Sequence, residues 1–213
     1  MEFVYPVCNA AQRMTLRMFA DWEVSGLENV PATGPLIIVA NHQSNFDPPL
    51  LGASLPRRIR FLAKDGIFRG HIVSWFLKSY GAFPLNREGT DVRAYKWMLK
   101  QLQLDQAMVL FPEGTRSPGQ MREAMPGVVQ LALKSRAPLL PVGIMGTEKI
   151  DHWMRVFNPT GRIGLNIGSP FRLPAVERKP SADELRSLTA LVMRRIADLL
   201  PESYHGVYRA KPE

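Results

Sequence analysis

The chain has 213 residues, of which 46% are hydrophobic and 22% charged, a balance typical of one globular domain and not of a disordered chain. A single cysteine, Cys8, excludes an internal disulfide and favours a reducing compartment. No secretory signal pattern opens the chain, and no apolar run reaches the roughly 18 residues of a membrane span. If the protein meets a membrane, we therefore expect it to bind peripherally.

The net charge of +8 is concentrated in one part of the chain. Between Arg57 and Lys100, ten lysines and arginines stand against three acidic residues. Such a basic region suits anionic lipid headgroups, phosphorylated substrates or nucleic acid, although a solvated surface would also explain it. No nucleic acid is expected as a partner, because the chain contains no recognisable binding module and no aromatic residues interleaved with the basic cluster.

The first segment predicts an amphipathic helix from about Val4 to Ala20. Its apolar stripe consists of Val4, Val7, Ala11, Met14 and Met18, with Arg13 and Arg17 one turn apart on another side. Two interpretations remain open. The favoured one is a helix whose stripe packs on the core, and the other is an interfacial helix with its stripe in lipid and its arginines on headgroups.

Apolar runs of strand length then alternate with helical patterns. Strands are predicted, in chain order, at Leu36–Ala40, Ile59–Ala63, Ala82–Leu85, Met108–Phe111, Leu139–Ile144 and Arg162–Ile167. One helix is predicted to begin after Asp47, which would be its N-cap. Four more helices are predicted at 67–80, Thr90–Gln103, Gly127–Ser135 and Asp183–Leu200. This alternation predicts an α/β fold with a mostly parallel central sheet flanked by helices.

Reactive side chains stand directly after the predicted strands. These residues are His42, Lys64, Arg87, Glu113 and Gly146. In parallel sheets, ligands bind at the carboxyl ends of the strands. The set combines one base, two cations that suit phosphate and one carboxylate, so a site at this edge is expected.

His42 and Asp47 are the candidate catalytic pair. His42 leaves a strand and Asp47 opens a helix, so a tight loop could let their side chains meet. A carboxylate that accepts from one ring nitrogen fixes the tautomer, and the other nitrogen can then take a proton from a substrate hydroxyl. The alternative is a structural histidine beside a carboxylate that only caps its helix.

A second polar turn, Phe111-Pro112-Glu113-Gly114-Thr115-Arg116-Ser117, follows the predicted strand Met108–Phe111. Gly114 permits an unusual backbone angle, and Arg116 offers a planar fork suited to phosphate. Glu113 can hold an arginine in place or accept from a substrate hydroxyl. A polar turn with a local Glu–Arg pair would be the structural alternative.

Four motifs occur together in one order. They read Asn-His-x-Ser-x-x-Asp at 41–47, Gly-x-x-Pro-x-x-Arg at 81–87, Phe-Pro-Glu-Gly-Thr-Arg-Ser at 111–117 and Leu-Pro-Val at 140–142. The combination resembles the pattern of the lysophosphatidic acid acyltransferase (1-acyl-sn-glycerol-3-phosphate acyltransferase) family, bacterial type. The likeness spans roughly residues 26–170.

The resemblance implies a complete reaction. His42 would be the general base and Asp47 its orienting partner. The acceptor site around the glycerol phosphate would be formed by Arg87, Glu113, Gly114, Thr115 and Arg116. The donor would be acyl-CoA or acyl carrier protein, the acceptor lysophosphatidic acid and the product phosphatidic acid. No cofactor and no metal are expected, since the four histidines are scattered and no Cys/His spacing fits a metal site.

The resemblance also implies an organisation and a location. Residues 1–25 would form an N-terminal amphipathic helical segment and residues 26–213 the acyltransferase domain. The protein would lie on anionic lipids at the cytoplasmic face of the cell membrane. The alternatives are a different lysophospholipid or alcohol acceptor, and a non-catalytic lipid-binding relative.

One position departs from the family pattern. Many members carry a lysine shortly before the glycine that opens the helix after the third motif, whereas this chain has Met125 before Gly127. Lys64 or Arg122 could supply the missing charge. The departure leaves the headgroup of the acceptor open.

Overall fold

The computed structural model describes residues 3–150, 153–174, 178 and 180–209. In chain order these residues form α1 (Val4–Phe19), β1 (Ala20–Ser25), β2 (Leu36–Ala40), α2 (Asp47–Ser54), β3 (Ile59–Lys64), α3 (His71–Tyr80), β4 (Ala82–Leu85), α4 (Val92–Gln103), β5 (Ala107–Leu110), α5 (Gly127–Ser135), β6 (Leu139–Met145), β7 (Gly161–Ile167) and α6 (Ala182–Ala197). Short 3-10 turns, such as Asp65–Ile67, complete the connections.

The strands form one seven-stranded sheet in the order β1-β7-β6-β2-β5-β3-β4. Strands β2 to β6 run parallel to one another. Strand β7 is antiparallel to β6, and β1 is parallel to β7. The predicted α/β fold with a mostly parallel sheet is confirmed, and the carboxyl ends of β2 to β6 all meet at one edge of the sheet.

Helices cover both faces of the sheet, and the central strand β2 shows why. All five of its residues are buried, as expected for a continuous apolar run inside a parallel sheet. Leu36 and Ile38 point into the core under α1, α2 and α3, whereas Ile37 and Val39 point into the core under α4, α5 and α6. Each such side chain contributes roughly 1.5–3 kcal/mol to folding when it leaves water.

Two features of the fold differ from the sequence prediction. No strand was predicted at Ala20–Ser25, yet β1 forms the outer edge of the sheet beside β7. Its side chains alternate between half-buried and exposed, so it has no continuous apolar run that would reveal it.

The second difference is at α2, where Asp47 is the first helical residue and not the N-cap, because its carboxylate accepts hydrogen bonds from the preceding loop and from His42.

Helix α1 is present as predicted, but a different face of it is buried. The buried residues are Val4, Tyr5, Asn9, Gln12 and Leu16. The core-packing interpretation of the apolar stripe is therefore wrong, because apart from Val4 its members Val7, Ala11, Met14 and Met18 are exposed to solvent. Polar bonds hold the buried face: the Tyr80 hydroxyl donates to Asn9 Oδ1 at 2.7 Å, and Gln12 Nε2 donates to the Val156 carbonyl at 3.1 Å.

Among the described residues, none of the helices has the length and apolarity that crossing a bilayer requires.

Candidate active site

His42 and Asp47 meet at the carboxyl end of β2. His42 Nδ1 and Asp47 Oδ2 are 2.7 Å apart. The contact forms because β2 ends at Ala40 and the chain turns back at once, with the Asp47 N–H donating to the Ser44 carbonyl at 3.2 Å. The predicted tight loop thus brings the base and the carboxylate together.

Asp47 is fully buried and accepts four hydrogen bonds. The backbone N–H groups of Gln43 and Ser44 donate to Oδ2 at 2.7 and 2.9 Å, beside the bond to His42. Thr147 Oγ1 donates to Oδ1 at 2.7 Å. Because all four partners are in place, both the position and the rotation of the carboxylate are set by the surrounding chain.

Thr147 is the residue of the site that the sequence analysis missed. It is completely buried and follows Gly146, just past the carboxyl end of β6. The rule that placed His42 and Glu113 at the site also applies to this strand end, where only Gly146 was noted. A threonine there is unremarkable in the sequence, and only the packing of β6 beside β2 brings it to Asp47.

The other polar side chains of the loop anchor it to neighbouring strands. Asn41 exchanges two hydrogen bonds with the backbone of Ile144, at 2.9 and 2.7 Å. Gln43 Nε2 donates to the same Ile144 carbonyl at 2.6 Å, and the Ser44 hydroxyl donates to the carbonyl of Ile150. The loop is therefore held rigidly, as a site that positions reacting groups requires.

The second ring nitrogen of His42 remains open to a substrate. The ring of Phe111 stacks on the imidazole at 4.0 Å between centroids, which fixes the ring plane. The side chain keeps 11% of its surface exposed, and no hydrogen bond joins Nε2 to any part of the chain that the structure describes. Nε2 is thus the atom of the pair that can receive a proton from outside.

Glu113 lies against the same loop, but its carboxylate is bonded to the main chain. Oε1 accepts from the His42 N–H at 2.8 Å and Oε2 from the Arg122 N–H at 3.0 Å. Burial raises the pKa of Glu113 to about 7, against the opposing effect of these two hydrogen bonds. Its predicted contact with the acceptor stays a prediction.

The rest of the third motif, 111–117, forms a turn beside His42. The Ser117 N–H donates to the His42 carbonyl at 2.7 Å, which ties the turn to the loop at 41–47. Gly114 adopts the predicted left-handed backbone with φ +69°, and a Cβ there would collide with the end of the Met125 side chain. Thr115 is half-buried and Arg116 is exposed at the outer end of the turn.

Lys64 and Arg87 line one cavity at the same edge of the sheet. The cavity has a volume of about 240 Å³ and is also bordered by Asp65, Asn86 and Glu88. The two cations follow the paired strands β3 and β4, and both are exposed. The structure thus brings together two of the predicted phosphate-binding residues.

A larger cavity, of about 890 Å³, lies elsewhere. It is bordered by β1, β7 and the chain after β6, with Glu148, Lys149 and Arg162 on its walls. None of the predicted site residues lines it, apart from Gly146 at the end of β6. The contacts of His42 define the candidate site better than cavity size does.

The sequence matches the Acyltransferase family over residues 21–145, which is more than half of the chain, and the chain belongs to that family. The match includes the loop at 41–47, the turn at 111–117 and the edge that carries both cations. The strand β7 and the helix α6 lie beyond it.

Individual relatives show which enzymes of this family the chain resembles. The chain is 29% identical to the 1-acyl-sn-glycerol-3-phosphate acyltransferase of Bacillus subtilis, over 92% of this chain and 96% of that protein. It is 35% identical to the chloroplastic 1-acyl-sn-glycerol-3-phosphate acyltransferase LPAT1 of Arabidopsis thaliana, over 68% of this chain and 40% of that protein. The fold matches the crystal structure of the 1-acyl-sn-glycerophosphate (LPA) acyltransferase PlsC from Thermotoga maritima with a TM-score of 0.71 and 29% identity, covering 92% of this chain and 79% of that one.

Proposed function

We propose that the protein transfers a fatty acyl group from a thioester, acyl-CoA or acyl carrier protein, to the sn-2 hydroxyl of lysophosphatidic acid. The product is phosphatidic acid. Family membership supports acyl transfer, and the relatives named for 1-acyl-sn-glycerol-3-phosphate support the acceptor. The observation that carries the proposal is the 2.7 Å contact between His42 and a buried Asp47, with Nε2 left open.

The reaction needs one base and no protein nucleophile. The acceptor hydroxyl attacks the thioester carbonyl while His42 Nε2 takes its proton. The tetrahedral intermediate then collapses, the C–S bond breaks, and the proton passes from His42 to the departing thiolate. Asp47 keeps the proton of the neutral ring on Nδ1 and stabilises the ring while it is charged. General-base catalysis of this kind typically contributes ~10²–10⁴-fold in rate.

The acceptor phosphate has a matching set of cations. Lys64 and Arg87 share the cavity at the ends of β3 and β4, and Arg116 lies on the turn that is bonded to His42 through Ser117. An arginine fork can bind two phosphate oxygens at once, whereas a lysine acts as a point charge. We assign the headgroup to this edge of the sheet, at which His42 also stands, past the end of β2.

The protein binds membranes peripherally in this proposal. The exposed apolar stripe of α1 is the supporting observation, since Val7, Met14 and Met18 each expose about 60% of their surface. Interfacial helices bury such a face at the boundary between headgroups and acyl chains. Because Tyr5 and Leu16 of the same helix are buried, deleting α1 would open the core, and point substitutions are the better test.

Release of free thiol tests the proposal directly. Purified protein is incubated with palmitoyl-CoA and, in separate reactions, lysophosphatidic acid, lysophosphatidylcholine or glycerol 3-phosphate, with palmitoyl-carrier protein as the alternative donor. We expect turnover with lysophosphatidic acid and little with the other two acceptors. Turnover with a different acceptor would show that this other acceptor is the substrate. No turnover with any acceptor would show that the protein is a non-catalytic relative of the family.

The role of His42 is best tested by His42→Asn. The amide of the introduced asparagine can keep a donor where Nδ1 is, so the buried carboxylate of Asp47 stays satisfied while Nε2 is lost. We expect turnover to fall by about 10²–10⁴-fold with little change in the thermal midpoint. Turnover within about twofold of the wild type would contradict the mechanism.

A further inference from the structure

Helix α3 exposes apolar side chains where a folded protein normally buries them. Ile72 keeps 81% of its surface exposed, and Val73, Trp75 and Phe76 are also exposed. Ile67, in the turn before the helix, continues the same surface. Apolar patches of this kind on a soluble chain mark sites that contact another molecule or a membrane.

Helices α1 and α3 lie, together with α2, on one face of the sheet. They meet where the rings of Tyr5 and Tyr80 are 5.2 Å apart, beside the start of β3, since the Ile59 N–H donates to the Tyr5 hydroxyl. Gly52 of α2 packs against the same contact, because a Cβ there would stand 2.7 Å from the Tyr80 hydroxyl. The outer faces of the two helices therefore belong to one side of the molecule.

The two helices diverge toward the edge that holds His42. Helix α3 begins just after the carboxyl end of β3 and runs back to Tyr80. Helix α1 runs the other way and ends at Phe19, directly before β1 begins at Ala20 beside Gly161. Because β7 is antiparallel to β6, this end of β1 is also at the catalytic edge. In the sheet, β1 and β3 stand on opposite sides of β2, so Met18 and Ile72 lie on opposite sides of the strand that leads to His42.

The charges around these helices favour an anionic surface. Neither α1 nor α3 contains an aspartate or glutamate, while α1 carries Arg13 and Arg17 and α3 carries Lys78. The cations of the acceptor cavity, Lys64 and Arg87, stand at the same edge of the sheet. Apolar side chains surrounded by lysine and arginine are suited to insertion beneath anionic lipid headgroups. A second copy of the chain would bring the same positive charges and be repelled.

We infer that the outward faces of α1 and α3, with Ile67, form a single surface that docks on an anionic phospholipid bilayer. We call this surface the α1–α3 face. The inference rests on the proposed function and extends it: α3 is a second docking element, and the site opens between the two helices toward the lipid. A lysolipid can then present its headgroup to Lys64 and Arg87 while its acyl chain stays in the leaflet.

Vesicle binding of paired variants tests the α1–α3 face. The α3 variant carries Ile72→Gln and Trp75→Gln. The matched control carries Val92→Gln and Leu191→Gln, which are exposed apolar residues of α4 and α6 on the opposite layer. Binding to phosphatidylglycerol-containing vesicles is measured by co-sedimentation. We expect the α3 variant to lose about tenfold in partition coefficient and the control to stay within about twofold of the wild type.

Two further measurements separate the docking inference from the proposed function. A short-chain lysophosphatidate and a short-chain acyl-CoA, both in free solution, should be turned over by the α3 variant, whereas turnover of vesicle-presented acceptor should fall. If the wild type turns over no acceptor and the α3 variant still loses vesicle binding, the docking inference holds and the proposed acyltransferase function is wrong. Equal vesicle binding by the wild type and the α3 variant would overturn the docking inference. So would a change in self-association of the α3 variant, seen by sedimentation velocity without a change in vesicle binding, since it would assign the surface to a second copy of the chain.

Discussion

At the residue scale, one buried carboxylate organises the site. Asp47 joins its own loop, the imidazole of His42 and the hydroxyl of Thr147, which comes from a different strand end. The bond from Thr147 goes to the oxygen that His42 does not use. Thr147 therefore sets the rotation of the carboxylate, and through it the direction in which Nε2 points.

Thr147→Val should separate positioning from binding. Valine has the same shape but no hydroxyl, so Asp47 loses one donor and can rotate. We expect kcat to fall by roughly tenfold to 100-fold, while the acceptor KM stays within about twofold, and Thr147→Ser should restore most of kcat. A purely packing role would instead leave kcat per folded molecule unchanged in both variants, and it would lower the thermal midpoint of Thr147→Ser, which loses a buried methyl group.

Glu113 gives stability a dependence on pH. An unfolded glutamate has a pKa near 4.3, and burial raises the pKa of Glu113 in the folded protein to about 7. The folded state therefore binds this proton more tightly. The stability that results is complete below about pH 4.3 and is lost as pH rises through about 7, by an amount on the order of 4 kcal/mol at most.

Glu113→Gln should remove this dependence. The amide can accept only one of the two backbone bonds, so the variant is less stable in absolute terms, and the slope is the informative quantity. Denaturant unfolding between about pH 4.5 and 8 should show the wild type losing stability relative to Glu113→Gln. The control Glu28→Gln changes an exposed carboxylate and should follow the wild type. Parallel curves for wild type and Glu113→Gln would contradict the raised pKa.

At the element scale, the end of β6 decides whether Thr147 reaches the site. Gly146 has φ +81°, and a Cβ there would stand 1.9 Å from the carbonyl oxygen of Arg162 on β7. Both the left-handed backbone and the close approach of a neighbouring strand require glycine. The conformation of this one residue turns the chain so that Thr147 points back toward α2.

Gly146→Ala should therefore damage both stability and activity. The new methyl group must push β6 and β7 apart, and Thr147 moves with the turn. We expect a loss of at least about 2 kcal/mol in unfolding free energy and of roughly 100-fold in kcat. The matched control is Gly34→Ala, which has the same φ of +81° but no neighbouring atom within 4 Å. A similar loss of stability in both variants would mean that backbone strain alone, and not the contact with β7, is responsible.

At the scale of the whole molecule, charge and apolar surface act together. The net charge is +8, and the α1–α3 face adds a patch of exposed apolar side chains. Raising the salt from about 0.05 M to 0.5 M shortens the reach of the charges from roughly 14 Å to 4 Å. Binding to anionic vesicles should fall about tenfold or more, toward the level on neutral vesicles. If vesicle binding does not change with salt, the charges do not contribute to it and only the apolar side chains of the α1–α3 face do.

The sequence predicted the core elements well because their signals are local. Leu36–Ala40 is a continuous apolar run between turn residues, and Gly127–Ser135 has helical periodicity that begins at a glycine, so each was placed to within a residue. The rule that ligands bind at the carboxyl ends of parallel strands then predicted that His42, Lys64, Arg87 and the third motif meet at one edge. Strand β1 was missed because its half-buried alternation is stabilised by its neighbour β7 and not by its own composition.

The order of the helices and of strands β2 to β7, and the strand-end side chains apart from Thr147, were determined by the sequence alone, because hydrophobic period and turn residues act over a few neighbouring positions. Only the tertiary structure decided that Asp47 orients an imidazole and does not cap its helix, and that Thr147 reaches it. It also decided that the apolar stripe of α1 faces outward. These outcomes depend on contacts between residues 100 or more positions apart, and which face of a helix is covered is set by the elements that pack beside it.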